Sequence, residues 1–232
     1  MNKTIGILGG MGPIATIDLF QKIVDHTPAQ IDQDHLKILI YNNPKIPPRI
    51  QTNGFASPLS ELIQSAITLQ NAGADFLIMP CHTAHIWYEE VKNQLSIPFY
   101  SIVKNTVKAT NELYRNEDNN KILLLATETT IQSGIYQKEF KKSSFSVVVP
   151  NSDEQKLVDN AIKSVKSGKI SAQNCSFNEL NQMINRFSDN GVSILLGCCT
   201  EIPIVYQYFQ TKMEMIDPTL LLAKMAITKT LE

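Results

Sequence analysis

Two stretches of this chain spell out the same local structure. Asn71-Ala-Gly-Ala-Asp-Phe-Leu-Ile-Met-Pro-Cys81 runs from a glycine through an apolar segment to a cysteine, and Asp189-Asn-Gly-Val-Ser-Ile-Leu-Leu-Gly-Cys-Cys199 does the same. The offset is shared by the cysteines (199 − 81 = 118), by the glycines (191 − 73 = 118), and by Lys3 and Lys121, each of which opens an apolar run (121 − 3 = 118). It breaks at the second strand, where Pro44 and Pro150 are 106 apart (150 − 44 = 106). A duplicated half-domain is the simplest account. It puts Cys81 and Cys199 at equivalent places, the carboxyl ends of equivalent strands.

Hydrophobic periodicity supplies the elements of each half. Strands are expected at 4–8, 37–41, 76–79, 99–102, 121–126, 146–149 and 193–196. Helices are expected at 15–25, 59–71, 84–95, 102–114, 152–167 and 177–190. Strands alternating with helices imply parallel sheets covered by helices. The expected fold is therefore α/β, with two pseudo-symmetric domains, each a parallel-rich sheet flanked by helices, and a site in the cleft between them. The first half is expected over 1–100 with a C-terminal helix at 212–232, and the second over 101–211. The polar 115–120 segment reads as a turn or linker.

Composition narrows the function classes. With 21 basic and 22 acidic side chains interspersed and a net charge of −1, the chain lacks the basic footprint of a nucleic-acid binder. No apolar run approaches the roughly 20 residues that span a bilayer, and the glycine-rich start reads as a strand and loop, not a signal peptide. A cytoplasmic location is expected, where Cys81, Cys175, Cys198 and Cys199 stay reduced. Cys175 and Cys198 read as structural.

Ligands of open α/β sheets bind at the carboxyl ends of the strands, where both paired cysteines are expected. Each also precedes an expected helix, whose N-terminus favours a thiolate. If the halves face each other about an approximate two-fold axis, the thiols meet at one cleft. Inverting an α-carbon requires a base on one face and an acid on the other. Two thiols, which titrate near about 8.5 when unperturbed, can exchange those roles near neutrality. Donors for the substrate carboxylate are available at Thr83, Thr200, Thr127, Thr129 and Thr130, and cations at Arg49 and in the Lys163–Lys169 cluster.

Ile5-Gly-Ile-Leu-Gly-Gly-Met-Gly-Pro13, Tyr41-Asn-Asn-Pro-Lys-Ile-Pro-Pro-Arg49, Met79-Pro-Cys-His-Thr-Ala-His85 and Gly197-Cys-Cys-Thr-Glu-Ile-Pro203 together resemble the cofactor-independent aspartate/glutamate racemase family, its aspartate racemases most. Ser133-Gly-Ile-Tyr136 and Ile216-Asp-Pro218 extend the resemblance over nearly the whole chain. It implies a homodimer of two-domain subunits acting on a small acidic amino acid without a cofactor. Cys81 and Cys199 are then the acid/base pair, Arg49 and Lys166 bind substrate carboxylates, and Met11, Thr83, Thr127 and Thr200 line the pocket. Two positions depart from the family pattern. His82 replaces the usual asparagine, keeping both hydrogen-bonding roles with more bulk and a titration. Glu128 stands where a small or hydroxylated residue is usual, and it repels an acidic substrate unless it points away. Both bear on the choice of substrate.

Competing readings of single motifs carry less. Cys81, His82 and His85 match no common closed zinc site, and Gly6-Ile-Leu-Gly-Gly-Met-Gly12 is not a dinucleotide fingerprint. His85 is expected to cap or orient the helix after Cys81. The alternative activities are a maleate isomerase-like or hydantoin racemase-like reaction on the same scaffold, or non-catalytic binding of a small molecule.

Overall fold

Parallel pairing builds two sheets of identical order. The computed structural model describes residues 3–49, 56–115, 121–168 and 175–232, the side chains of 175 and 176 excepted. In the first half β1 (Ile5–Gly9) lies between β2 (Ile38–Asn42) and β3 (Phe76–Ile78), and β3 pairs with β4 (Phe99–Tyr100), giving the order β2-β1-β3-β4. In the second, β5 (Lys121–Leu125) lies between β6 (Ser146–Val148) and β7 (Ile194–Gly197), and β7 pairs with β8 (Glu214–Ile216), giving β6-β5-β7-β8. The register is Ile5 opposite Phe76 in one sheet and Ile122 opposite Ile194 in the other, so the repeat seen in the sequence is a repeat of topology.

The covering helices are α1 (Pro13–His26), α2 (Leu59–Asn71), α3 (Tyr88–Lys92), α4 (Ile102–Leu113), α5 (Glu128–Ser133), α6 (Ile135–Phe140), α7 (Ser152–Lys166), α8 (Cys175–Asp189), α9 (Glu201–Ile204) and α10 (Pro218–Leu231). Two compact units result, Met1–Thr106 with Thr219–Glu232, and Val107–Pro218. Strands covered on both faces carry unbroken apolar text: β1, β3 and β7 are buried at every residue. In the first unit Leu8, Leu62, Ala66, Leu77 and Phe99 share one buried cluster. In the second Leu123, Val158, Ile162, Leu180, Ile184 and Leu195 share another. A fully buried leucine or isoleucine of this kind contributes about 1.5–3 kcal/mol.

Three elements differ from expectation. The helix expected at 84–95 is a tight 3-10 turn, Thr83–Trp87, followed by the short α3. The expected C-terminal helix begins only at Pro218, because 214–216 are drawn into the sheet as β8 beside β7. The 128–140 segment, for which no helix was expected, forms α5 and α6 around Gly134, a left-handed residue at φ 68°. Most of the 115–120 linker, together with Lys169, lies outside the described residues. No helix among the described residues is long and apolar enough to cross a membrane.

Candidate active site

In the first unit, the loops leaving β1, β2 and β3 at their carboxyl ends pack on one another. Gly10 adopts φ 98°, and a Cβ there would lie 2.4 Å from the backbone carbon of Asn43. Only glycine permits both that conformation and that approach. The Asn43 N–H donates to the Gly9 carbonyl at 3.3 Å, which joins the β2 loop to the β1 loop. Pro13 then starts α1, where its missing N–H costs nothing. Met11, Ile46 and Cys81 belong to the same buried cluster, so all three loops contribute to it. Arg49, three residues beyond Ile46, is half-buried and donates from Nη1 to the Pro47 carbonyl at 3.2 Å.

Cys81 follows β3 and is 6 % exposed. Its carbonyl accepts from His85 Nδ1 at 2.8 Å, while His85 Nε2 accepts the Ile102 N–H at 3.2 Å. The second bond requires an unprotonated Nε2, so His85 is the neutral Nδ1–H tautomer. Burial, the largest cause, holds its pKa down at about 4, against an opposing contribution from the Cys81 carbonyl. This brace explains the 3-10 turn. The His85 N–H bonds to the His82 carbonyl at 2.9 Å, one residue closer than an α-helix allows. With both ring nitrogens engaged by backbone, His85 offers no lone pair to a metal. His82 is buried, and desolvation followed by the His85 charge lowers its pKa to about 3. It is a neutral side chain near pH 7. Thr83 is half-buried at the start of the turn.

In the second unit the Cys198 N–H donates to the Leu125 carbonyl at 2.7 Å, tying the end of β7 to the end of β5. Cys199 is 7 % exposed, and its Sγ donates to Glu201 Oε2 at 2.9 Å. The Thr200 hydroxyl donates to the same oxygen at 3.2 Å, and Lys166 Nζ stands 3.9 Å from Oε1. Lys166 is the last residue of α7, a helix that begins on a capping box. Asn151 Oδ1 accepts from the N–H groups of Asp153 and Glu154, and Glu154 Oε2 accepts from the Asn151 N–H. Burial and then the Glu201 charge push the Cys199 thiol well up, with Lys166 opposing. This reverses the expectation of a helix-stabilised thiolate. The helix after Cys199 has only four residues, Glu201–Ile204, and a nearby carboxylate outweighs it.

Thr127 caps α5, its Oγ1 accepting the Thr130 N–H at 3.3 Å. Glu128 is exposed and accepts from Gln132 at 2.9 Å, a partner on its own helix. Cys198 is fully buried beside Tyr136, and its thiol is pushed well up by burial. The side chain of Cys175 lies outside the described residues. Among the described residues, no group of three or more His, Cys, Asp or Glu side chains is placed to hold a metal ion.

Lys166, Cys199 and Thr200 thus meet, and the residue joining them is Glu201, which the sequence reading quoted within a motif but gave no role. Its signal was a carboxylate two positions beyond the cysteine, within reach of the thiol across one turn.

The chain and its fold have relatives among known proteins. The Asp/Glu/Hydantoin racemase family matches residues 8–226, and the chain belongs to it; the class is that of the racemases, which are isomerases. The broad specificity amino-acid racemase RacX of Bacillus subtilis is 30% identical over 229 residues, covering 97% of this chain and 96% of that one. The structure is similar to Picrophilus torridus aspartate racemase at a TM-score of 0.83 and 30% identity, over 98% of this chain and 94% of that one. The fold is also that of Francisella tularensis glutamate racemase, solved with D-glutamate, at a TM-score of 0.74 and 19% identity, over 98% and 80% of the two chains.

Proposed function

We propose that this chain is an amino-acid racemase that works without pyridoxal phosphate through Cys81 and Cys199, one thiolate removing the α-proton while the other thiol delivers one to the opposite face. The observation that carries this reading is the equivalence of the two cysteines. Each follows the third strand of a sheet of the same order, in a chain that belongs to a racemase family. Arg49 is assigned to the substrate α-carboxylate. Met11, Thr83, Thr127 and Thr200 are assigned to the pocket wall, with His82 as its neutral polar member.

Aspartate is the first substrate to test and glutamate the second. A wider range is favoured by one observation: Lys166 already faces the buried Glu201 carboxylate. A cation neutralised in this way attracts a side-chain carboxylate less than an unpaired lysine does, so amino acids with uncharged side chains compete on better terms. A homodimer in the cytoplasm completes the reading.

The test is a chiral assay of D- and L-amino acids on the purified protein, with solvent deuterium incorporation at the α-carbon. Aspartate, glutamate, alanine, serine and lysine form the panel, with maleate and a hydantoin as controls for related chemistry. Cys81→Ser and Cys199→Ser are each expected to abolish inversion. Full activity in either variant removes the two-base mechanism, and turnover of maleate or the hydantoin alone replaces racemisation of amino acids.

A further inference from the structure

We propose that Glu201 is the positioning residue for the Cys199 proton, taking the hydrogen from the thiol and returning it as the cysteine alternates between acid and base. The inference rests on the reading of Cys199 as one of two acid/base thiols. Its own foundation is a contact that reading did not use, the 2.9 Å bond from Sγ to a carboxylate whose residue is only 2 % exposed.

The proton count follows from charge. A thiolate and a carboxylate at this separation, both buried, cannot both be ionised without a large Coulomb cost. The two groups are therefore taken to share one proton across the 2.9 Å contact. In one form the S–H bond is intact and Glu201 is ionised. In the other, the S–H bond has broken with its electrons left on sulfur, and an O–H bond has formed at Oε2. The pair carries one negative charge in either form, and the Lys166 ammonium offsets it from the Oε1 side. Cys199 thus changes role with no change in the net charge of the pair.

Charged and titratable groups directed at Cys199 come from two elements. Glu201 belongs to the turn that follows the cysteine, and Lys166 ends α7. The neighbouring Cys198 faces Tyr136 and Tyr206 instead. Thr200 donates to Oε2 beside the thiol and fixes the carboxylate plane. A purely structural carboxylate in this place would need no thiol among its partners.

Iodoacetamide alkylation separates these possibilities, because its rate follows the thiolate fraction. Alkylation of Cys199 is followed by peptide mass spectrometry from pH 6 to 10, with Cys81 as the internal reference. In Glu201→Gln the repelling carboxylate is gone, while the Lys166 charge that lowers the Cys199 pKa remains. Alkylation of Cys199 at pH 7.5 is expected to accelerate at least tenfold, equal to about one pKa unit. Racemisation moves the other way, with kcat falling at least tenfold and KM changing less than threefold. Lys166→Met is expected to slow alkylation of Cys199 at least threefold.

A Cys199 rate in Glu201→Gln within twofold of the parent, in protein with unchanged circular dichroism, overturns the proposal. Should Glu201→Gln not fold, Lys166→Met and the parent profile decide. An ordinary thiol profile centred near about 8.5, unmoved by Lys166→Met, overturns it as well. Full racemisation by Cys199→Ser removes the two-cysteine reading and the relay with it. An unmoved alkylation rate removes the relay alone.

Discussion

His85 Nδ1 lies 2.8 Å from the carbonyl oxygen of Cys81, four residues earlier in the chain. The same ring accepts the Ile102 N–H through Nε2 and stacks on Tyr88 at 5.5 Å between centroids. One neutral imidazole therefore fixes the loop of the first cysteine to the start of α4. His85→Phe keeps a flat aromatic ring and deletes both bonds, leaving a buried carbonyl and a buried N–H without their partner. Each such group costs about 1–3 kcal/mol, so urea unfolding is expected to show a loss of about 2–6 kcal/mol. Racemisation should fall with the displaced Cys81, while alkylation of Cys199 stays at the parent rate.

Two buried histidines make the fold sensitive to acid. His82 and His85 have folded pKa values of about 3 and about 4, against 6.5 for the unfolded chain. The unfolded state binds protons first, so stability is complete above pH 6.5. It falls as the pH drops toward 4 for His85 and toward 3 for His82. Each contributes a slope on the order of 1.4 kcal/mol per pH unit in that window. Urea midpoints at pH 7.5, 5.5 and 4.5 are expected to decline steeply over the lower interval. A flat profile would mean that one or both imidazoles charge in place.

His82→Asn separates the contributions of the two rings. It replaces the ring with a short amide and removes one of the two titrations, so the acid slope is expected to drop by about half. Because His82 is already neutral in the folded protein near neutrality, the pH–rate profile of racemisation between pH 6 and 9 should keep its shape in this variant. A step that disappears from that interval would place a charged His82 in the working enzyme.

The parts of this structure that were legible in the sequence are those that local text determines. β3 and β7 are apolar runs bounded by a glycine and a cysteine loop, and α2 matches its expected bounds of 59–71 at both ends. β8 was not legible, because Glu214–Ile216 is three residues long and is a strand only by pairing with β7. The 84–95 helix failed for a related reason: its apolar spacing is helical, but the tertiary bonds of His85 tighten the first turn. At the site, the cysteines could be read from the repeat. Lys166 could be placed near the end of a helix, but Glu201 beneath it could not. That contact joins α7 to the turn after β7, and no local periodicity encodes it.

Gly197 stands immediately before Cys198 and Cys199, and its missing Cβ leaves room for Tyr206. A Cβ there would lie 2.5 Å from Tyr206 Oη and 3.1 Å from Pro203 Cδ. Tyr206 Oη donates to the Ile216 carbonyl at 2.7 Å, fastening the end of β8 to the turn that holds Cys199. Gly197→Ala must move the phenol, the proline or the strand, and overpacking of this kind costs about 1–3 kcal/mol. Tyr206→Phe alone removes the bond to Ile216, worth about 1 kcal/mol, but also removes the atom that the new methyl group meets. The two changes share one contact, so the double variant is expected to lose less than the sum of the single losses, by at least about 0.5 kcal/mol. The cycle is measured by urea unfolding of the four proteins. Strict additivity would show that Pro203 or the strand, and not the tyrosine, takes up the methyl group. In that case, the alkylation rate of Cys199 should change in Gly197→Ala and stay changed when Tyr206→Phe is added.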